Sequence, residues 1–233
     1  VTMLLGGEQG EAYRESMEQE QEPKKPFILP EANRTMHRAF AYLVKTRCLD
    51  PKVVSVFARR HMIYEDAKYH NAVFVGFDVD GIPHHAHKRG TCQRGKTFKG
   101  NVESCDPRYS FHWIGKSDTV YVFEAPIDML SFISMYQKDW MEHSYVALCG
   151  VAEHALLQLL EDVPHLSKIA LCLDHDKAGI EAGERIKKRL SERGYRDVFP
   201  LFSCQKDWNE DLQALQKPPP EFVAECQTVT QMM

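Results

Sequence analysis

The pattern of apolar and polar positions first predicts two helices. Apolar residues recur at helical spacing in RTMHRAFAYLVKTR and again in DPKVVSVFARRH. Asn33 precedes the first pattern and Asp50 the second, each as a candidate N-cap, and Pro51 suits the first helical position. These features indicate a helical beginning to the folded part of the chain.

The pattern then changes to the period of a β-strand. The stretch NAVFVGFDVDGIPHHAHKRGT contains two alternating runs with a turn at Asp80-Gly81, which predicts a β-hairpin. The following polar stretch, residues 92–118, predicts irregular structure.

From Thr119 onwards, strand-like and helix-like patterns alternate. Four apolar runs (VYVFE, SYVALCG, KIALCLD and DVFPLF) are separated by three amphipathic stretches, and Gly194 stands where a helix C-terminal glycine belongs. This βαβαβαβ order predicts an α/β fold, a mostly parallel sheet with helices on both faces.

These patterns predict four regions. We expect residues 1–30, which are rich in Glu and Gln, to form a disordered linker or tail. We expect residues 31–117 to form a small α+β subdomain of helices and a hairpin. Residues 118–215 then form the α/β domain, and residues 216–233 form a C-terminal tail.

Composition narrows the class of protein. The 233 residues are 43% apolar and 27% charged with a net charge of −4, as in soluble globular proteins. No apolar run is long enough to span a bilayer. The seven cysteines contain no C-x-x-C pair, which disfavours a disulfide framework or zinc ribbon in this chain and favours a reducing, cytoplasmic location. Because the chain begins with Val, we expect it to be part of a longer polypeptide.

Carboxylates follow the predicted parallel strands. Glu124 ends the first strand, Asp174 ends the third with Asp176 two residues later, Asp128 lies one helical turn after Glu124, and Asp207 follows the fourth strand. The carboxyl ends of parallel strands meet at one edge, where crowded carboxylates require a cation. Oxygen ligands favour Mg²⁺ or Mn²⁺, and such ions commonly serve phosphoryl transfer. The alternative for Asp176 is a helix cap.

The acidic segments together resemble the Toprim domain, which is shared by topoisomerases, DnaG-type primases and some nucleases. The matching segments are EAPID, DHDKAG and KDWNED. The resemblance implies that Glu124 acts as a general acid or base and that Asp174, Asp176, Asp128 and Asp207 hold Mg²⁺. It also places Lys206 and Asn209 in nucleotide or nucleic-acid binding. Two positions depart from the family pattern: Ala125 stands where Gly is usual, and Asn209 stands where primases often have Asp.

A basic stretch precedes the acidic segments. The cations from His84 to Lys99 occur without an intervening acid and are Lys88, Arg89, Arg94, Lys96 and Lys99. We expect them to contact a nucleic-acid backbone or a triphosphate. The alternative is a solvated loop. The layout of this segment resembles the region that precedes the Toprim domain in DnaG-type primases.

The resemblance implies Mg²⁺-dependent nucleotidyl transfer on single-stranded DNA, as in the primase-like proteins of plasmids and integrative elements. The implied partners are single-stranded DNA, nucleoside triphosphates, and a replicative helicase or an upstream zinc-ribbon domain. Two alternatives stay open: a Toprim nuclease, and a non-catalytic DNA-binding module that assists replication. The chain is too short for a topoisomerase, and it contains no P-loop, GxSxG or GxGxxG motif.

Overall fold

A computed structural model describes residues 25–92, 97–150 and 152–216. Arg94, Lys96, most of the predicted N-terminal linker and nearly all of the predicted C-terminal tail lie outside these residues. Within the described part of the chain, no helix has the length and apolar character needed to cross a membrane.

The described residues form helices, strands and two short 3₁₀ turns. The helices are α1 (His37–Ala41), which runs on into a π-helix (Tyr42–Thr46), α2 (Pro51–Arg59), α3 (Pro126–Met135), α4 (His154–Asp162), α5 (Lys177–Glu192) and α6 (Trp208–Gln216). The strands are β1 (Ile63–Glu65), β2 (Ala72–Phe77), β3 (Pro83–Arg89), β4 (Lys99–Asn101), β5 (His112–Trp113), β6 (Thr119–Phe123), β7 (Ser144–Ala147), β8 (Lys168–Leu171) and β9 (Asp197–Pro200).

The first sheet is antiparallel, in the order β1-β2-β3-β4. Strands β2 and β3 form the predicted hairpin, and Gly81 in its turn has a φ of 78°, which suits glycine. Phe27 and Leu29 pack against the apolar face that Val73 and Val75 contribute. Residues 25–30 therefore take part in the fold, although the sequence predicted a linker up to residue 30.

Helix α1 begins at His37, later than the predicted start after Asn33. The reason is a cap from another element: the buried Glu65 carboxylate at the end of β1 accepts hydrogen bonds from Arg38 N (2.8 Å) and Ala39 N (2.9 Å). Asn33 donates its side-chain amide to the same carboxylate instead of capping the helix. By contrast, Asp50 caps α2 as predicted, accepting from the amides of Lys52 and Val53.

The second sheet has the order β5-β7-β6-β8-β9. Strands β6 to β9 are parallel, and β5 pairs antiparallel with β7 at one edge. Apolar side chains of α3 pack on one face of this sheet, while those of α4 and α5 pack on the other. This architecture confirms the predicted α/β fold preceded by a small α+β region. Strands β4 and β5 lie in the stretch that was predicted to be irregular. The sequence did not indicate them, because such short strands are ordered by the strands with which they pair.

One apolar core joins the two sheets. Phe57 of α2 contacts the rings of Phe111, Trp113 and Trp140, with centroids 5.3 to 5.6 Å apart. The same cluster reaches Trp208 of α6. Phe57, Phe111 and Trp113, which precede β6, therefore pack the two halves of the chain against each other.

Candidate active site

A cavity of about 330 Å³ opens beside the carboxyl ends of β6 and β8. Its charged lining comprises four acids and four cations: Glu124, Asp128, Asp174, Asp207, Arg47, Arg89, Lys99 and Lys206. The structure thus brings together four of the five predicted acidic residues and three of the predicted basic ones.

The topology explains why Glu124 and Asp174 meet. The chain passes from β6 to its neighbour β7 on one side and then returns to β8 on the other side of β6. Such a reversal creates a crevice at the strand ends, where ligands bind in open α/β sheets. Glu124 directly follows β6, and Asp174 lies three residues after the end of β8.

Gly179 lets the first turn of α5 approach both carboxylates. A Cβ atom at this position would lie 2.1 Å from the Asp174 carbonyl oxygen and 3.0 Å from Glu124 Oε1. Asp176 caps the same helix, because its Oδ1 accepts from Gly179 N at 3.0 Å. Asp176 does not line the cavity, and Lys206 Nζ lies 3.7 Å from its Oδ2. Asp176 therefore makes the contacts of a helix cap, which is the alternative that its sequence position offered.

Ala125, which stands where the Toprim pattern usually has Gly, needs no special backbone conformation. Its φ of −136° and ψ of 156° are extended values that any residue adopts. The side chain lines the cavity between Glu124 and α3. The departure from the family pattern thus introduces no strain at the turn that follows Glu124.

Three carboxyl groups of this cavity, those of Glu124, Asp128 and Asp174, have raised pKa values. Burial raises the pKa of Asp174 to about 7, with the charge of Glu124 adding to the effect. Burial also raises the pKa of Glu124, and it raises that of the fully enclosed Asp128 well above its usual range. Glu124 Oε1 and Asp174 Oδ1 are buried without a hydrogen-bond partner among the described residues. Such orphaned oxygens favour a cation beside them.

Only some of the four acidic side chains in the cavity are suited to bind a metal ion. No three His, Cys, Asp or Glu side chains of the described residues are already close enough to chelate an ion. Asp128 accepts a hydrogen bond from Asn209 N at 3.3 Å, and Asp207 caps α6 by accepting from Glu210 N at 2.7 Å. Glu124 and Asp174 therefore offer the oxygens best suited to Mg²⁺, which commonly keeps several waters and takes few protein ligands.

Asn209 lines the cavity but is held by contacts inside the protein. It is only 3% exposed, and its side-chain amide donates to Arg47 O (2.8 Å) and Ser131 Oγ (2.9 Å) and accepts from Arg47 Nη1 (3.1 Å). These contacts give Asn209 a structural role, and its part in nucleotide binding stays a prediction. Helix α6, which buries Asn209, was not predicted, although Asp207 followed by Glu210 three positions later is the sequence pattern that signals a helix start.

The predicted basic stretch divides between two faces of the small sheet. Arg89 and Lys99 are register partners and line the cavity. Lys88 is not among the cavity residues, because adjacent strand residues point to opposite faces, and its Nζ lies 5.5 Å from the centroid of the Phe98 ring. Lys88 thus lies outside the cavity, and its contact with a nucleic-acid backbone stays a prediction. Arg47 lines the cavity, although the sequence pattern did not indicate it. Its position depends on contacts with residues that are distant in the chain.

The parallel sheet, the acids at its strand ends and the close glycine define an α/β domain of Toprim type. Residues 121–212 match the family model described as Toprim-like, and residues 41–117 match a model described as a protein of unknown function (DUF3991). The chain contains a Toprim domain that resembles primase catalytic cores, which confirms the predicted resemblance.

Curated relatives extend along much of the chain. An uncharacterized protein of Bacillus anthracis is 25% identical over 202 residues, covering 77% of this chain and 58% of that protein. An uncharacterized protein of Mycoplasma genitalium is 29% identical over 97 residues, covering 41% of this chain and 42% of that protein. The chain therefore spans less than two thirds of either relative.

Solved primase structures share the fold. The Escherichia coli primase catalytic core has a TM-score of 0.53 at 13% identity, covering 78% of this chain and 70% of that one. The Aquifex aeolicus primase (zinc-binding and RNA polymerase domains) has a TM-score of 0.54 at 16% identity, with coverages of 78% and 54%. The primase fragment of the bacteriophage T7 primase-helicase has a TM-score of 0.53 at 18% identity, with coverages of 71% and 66%.

Proposed function

We propose that this protein is a primase-like nucleotidyltransferase that joins nucleotides on single-stranded DNA with Mg²⁺ or Mn²⁺. One observation carries the proposal. Within a Toprim domain, Glu124 and Asp174 present buried oxygens that have no hydrogen-bond partner among the described residues, at a cavity that also contains four cationic side chains. Acids and cations arranged together suit a reaction in which a metal ion and phosphate groups meet.

Each side chain has a distinct task in this proposal. Glu124 and Asp174 would hold the divalent ion, which when bound stabilises the charge that develops at phosphorus. The resemblance to the Toprim family also suggests that Glu124 accepts a proton from an attacking hydroxyl group. Lys206, Lys99 and Arg89 line the same cavity and would contact phosphate oxygens.

The proposed partners follow from the structural neighbours. One similar structure contains T7 primase domains with an RNA/DNA hybrid and dTTP, and another contains a DnaG catalytic domain with single-stranded DNA. We extend these ligand classes to the present chain, together with a helicase or zinc-binding partner. The cytoplasmic location and a role in mobile-element replication belong to the same proposal.

The test is synthesis from labelled ribonucleotides on single-stranded templates with Mg²⁺ or Mn²⁺. Wild-type protein should extend products only with the metal, and Glu124→Gln and Asp174→Asn should each reduce the rate at least about 100-fold. Asp118→Asn is the matched control, because Asp118 precedes β6, lies outside the cavity and pairs with Lys168 at 3.1 Å. Its rate should stay within about twofold of wild type.

Two other outcomes of this assay would indicate a different function. Metal-dependent degradation of the template, lost in the same two variants, would indicate a Toprim nuclease. Salt-dependent binding of single-stranded DNA without synthesis or degradation would indicate a non-catalytic replication module.

A further inference from the structure

We infer that the segment preceding the Toprim domain supplies an anion clamp, formed by Arg47, Tyr42 and Arg89, that binds a phosphate group at the cavity. The identity of the phosphate-bearing ligand rests on the proposed function, whereas the anion site itself rests on the geometry of these three residues. All three lie in residues 41–117, the part that matches a domain of unknown function.

Two guanidinium groups converge on one neutral oxygen. Tyr42 Oη accepts a hydrogen bond from Arg47 Nε at 2.8 Å and another from Arg89 Nε at 3.3 Å. Tyr42 is 4% exposed, and both arginines line the cavity. The shared oxygen therefore fixes two positive charges beside each other at the cavity wall.

In the part of the chain that the structure describes, neither arginine has a direct ion pair, although the charge of Arg47 acts on Asp128 in the same cavity. Among the ion pairs of the described residues, none includes Arg47 or Arg89. The remaining side-chain contact of Arg47 is with the neutral amide oxygen of Asn209. Neighbouring like charges that are partly removed from water repel each other, and an anion between them relieves this repulsion.

The backbone at this point is unusual. Arg47 N donates to Tyr42 O at 3.0 Å, which closes the wide turn of the π-helix, and the next residue, Cys48, has a φ of 61°. Short π-helical turns occur frequently at functional sites, and positive φ values are uncommon for residues other than glycine. This local geometry brings Tyr42 and Arg47 together, while β3 supplies Arg89 from a separate element.

The chemistry of the clamp identifies a class of ligand. Guanidinium groups form forked hydrogen bonds to phosphate oxygens, and two of them suit a group with several negative oxygens. That group could come from a nucleoside triphosphate or from the backbone of a nucleic-acid strand. The shared chemistry is a phosphate within reach of the acidic residues of the Toprim domain.

The test compares binding of two probes at one fixed salt concentration. The probes are a non-hydrolysable nucleoside triphosphate analogue and a short single-stranded DNA. Arg47→Gln and Arg89→Gln should each weaken binding of at least one probe about tenfold or more. Tyr42→Phe, which removes no charge, should weaken the same probe roughly threefold or more.

Arg60→Gln is the matched control. Arg60 belongs to the same segment, but its guanidinium stacks on Trp113 at 4.2 Å from the ring centroid and does not line the cavity. Its affinity for both probes should stay within about twofold of wild type.

The affected probe identifies the source of the phosphate. A loss confined to the triphosphate analogue assigns the clamp to the incoming nucleotide, and a loss confined to DNA assigns it to the strand backbone. Unchanged binding of both probes in Arg47→Gln and Arg89→Gln overturns the inference, as does a wild-type protein that binds neither probe.

A second measurement excludes a purely structural role for Arg47, which also contacts α6 through Asn209. Inorganic tripolyphosphate should raise the melting temperature of wild-type protein and raise that of Arg47→Gln much less, with Arg47→Lys between them. An undiminished rise in Arg47→Gln would overturn the clamp. If Arg47→Gln does not fold, Arg89→Gln provides the same comparison, because Arg89 has no contact with Asn209 among the described residues.

Failure of the clamp and failure of the proposed function have different signatures. Clamp-dependent binding without nucleotide incorporation would overturn the proposed function and retain the clamp. Incorporation with an unchanged KM for nucleotide and an unchanged affinity for template in both arginine variants would overturn the clamp alone.

Discussion

At the scale of single residues, the glycine beside the acids sets the tightest steric condition in the site. Gly179→Ala would place a methyl group 2.1 Å from the Asp174 carbonyl oxygen, so the first turn of α5 must move away. We expect the substitution to lower the free energy of unfolding by about 1–3 kcal/mol and to reduce activity.

Gly183→Ala is the control for this prediction, because it adds the same methyl group in the same helix. Its Cβ would lie 3.9 Å from Leu173 Cδ1, an ordinary contact. It should leave activity unchanged and raise stability by up to about 1 kcal/mol, since alanine favours the helix. Equal effects of the two substitutions in urea unfolding would contradict the steric explanation.

A different residue-scale feature is the histidine row of β3. His85 is fully buried and neither ring nitrogen has a hydrogen-bond partner among the described residues, whereas His84 contacts Asp78 and His87 contacts Asn101. Burial lowers the pKa of His85 to about 4. Among the described residues, the three histidines therefore do not form a metal site. The ring of His85 is a buried polar group whose nitrogen atoms make no hydrogen bond to these residues.

The consequence is a pH-dependent stability. Between its ordinary pKa of 6.5 and its folded pKa of about 4, His85 takes up a proton in the unfolded chain but not in the folded one. The contribution of the neutral His85 to the free energy of unfolding is therefore complete above pH 6.5 and is lost as the pH falls towards 4. His85→Leu should reduce the fall in melting temperature between pH 7 and pH 4.5, whereas the exposed His165→Leu should not. Equal falls in both variants and wild type would contradict this account.

At the scale of elements, α6 fastens the π-helix to the Toprim domain. Trp208 Nε1 donates to Cys172 O at 2.9 Å, the buried Asn209 side chain bonds Arg47 O, and Gln213 Nε2 bonds Thr46 O at 2.8 Å. This short helix is therefore held by polar contacts with both halves of the chain, in addition to the burial of Trp208 and Leu212 in the shared core.

This arrangement predicts unequal effects for two amides of one helix. Asn209→Ala removes the hydrogen bond to the Arg47 carbonyl oxygen and one of two hydrogen bonds of the buried Ser131 hydroxyl, and it should lower the free energy of unfolding by about 1–3 kcal/mol. Gln213→Ala removes a partly exposed amide and should cost less than about 1 kcal/mol. Urea unfolding at constant m-value measures both, and a larger loss for Gln213→Ala would refute the assignment.

The elements that sequence could predict are those whose signal is local. From Thr119 onwards, apolar runs and amphipathic stretches mark the strands and helices, and parallel topology alone brings Glu124 and Asp174 to one edge. The start of α1, strand β5 and the position of Arg47 could not be read this way. Each depends on a partner that is distant in sequence: the Glu65 carboxylate, strand β7 and the Asn209 amide, respectively.

At the scale of the whole molecule, the two sheets share one core. Phe57, Phe111 and Trp113 precede the Toprim domain, yet they pack in one cluster with Trp140 and Tyr145 within it. Residues 118–216 alone would expose the apolar face that these aromatics cover. In calorimetry, we expect residues 25–216 to show a cooperative thermal transition and the fragment to lack it. A cooperative transition within a few degrees of the longer chain would show that the shared core is dispensable.

The charge balance of the cavity also acts on the whole molecule. Magnesium that binds only the folded protein should raise its melting temperature at pH 8, because the ion relieves repulsion between Glu124 and Asp174. Asp174→Asn should melt higher than wild type without Mg²⁺ and gain less from it, while Asp118→Asn should respond as wild type does. Identical Mg²⁺ responses in all three proteins would argue against an ion at this position.

The placement of β5 has a consequence for self-association. By pairing with β7, it covers one border of the large sheet and leaves β9 at the other. Leu201 N donates inward to Leu171 O, so the alternate position that faces outward is Pro200, which has no amide hydrogen to offer. A second chain therefore finds one backbone donor fewer for strand addition at this border, which disfavours the edge-to-edge pairing that leads to aggregates.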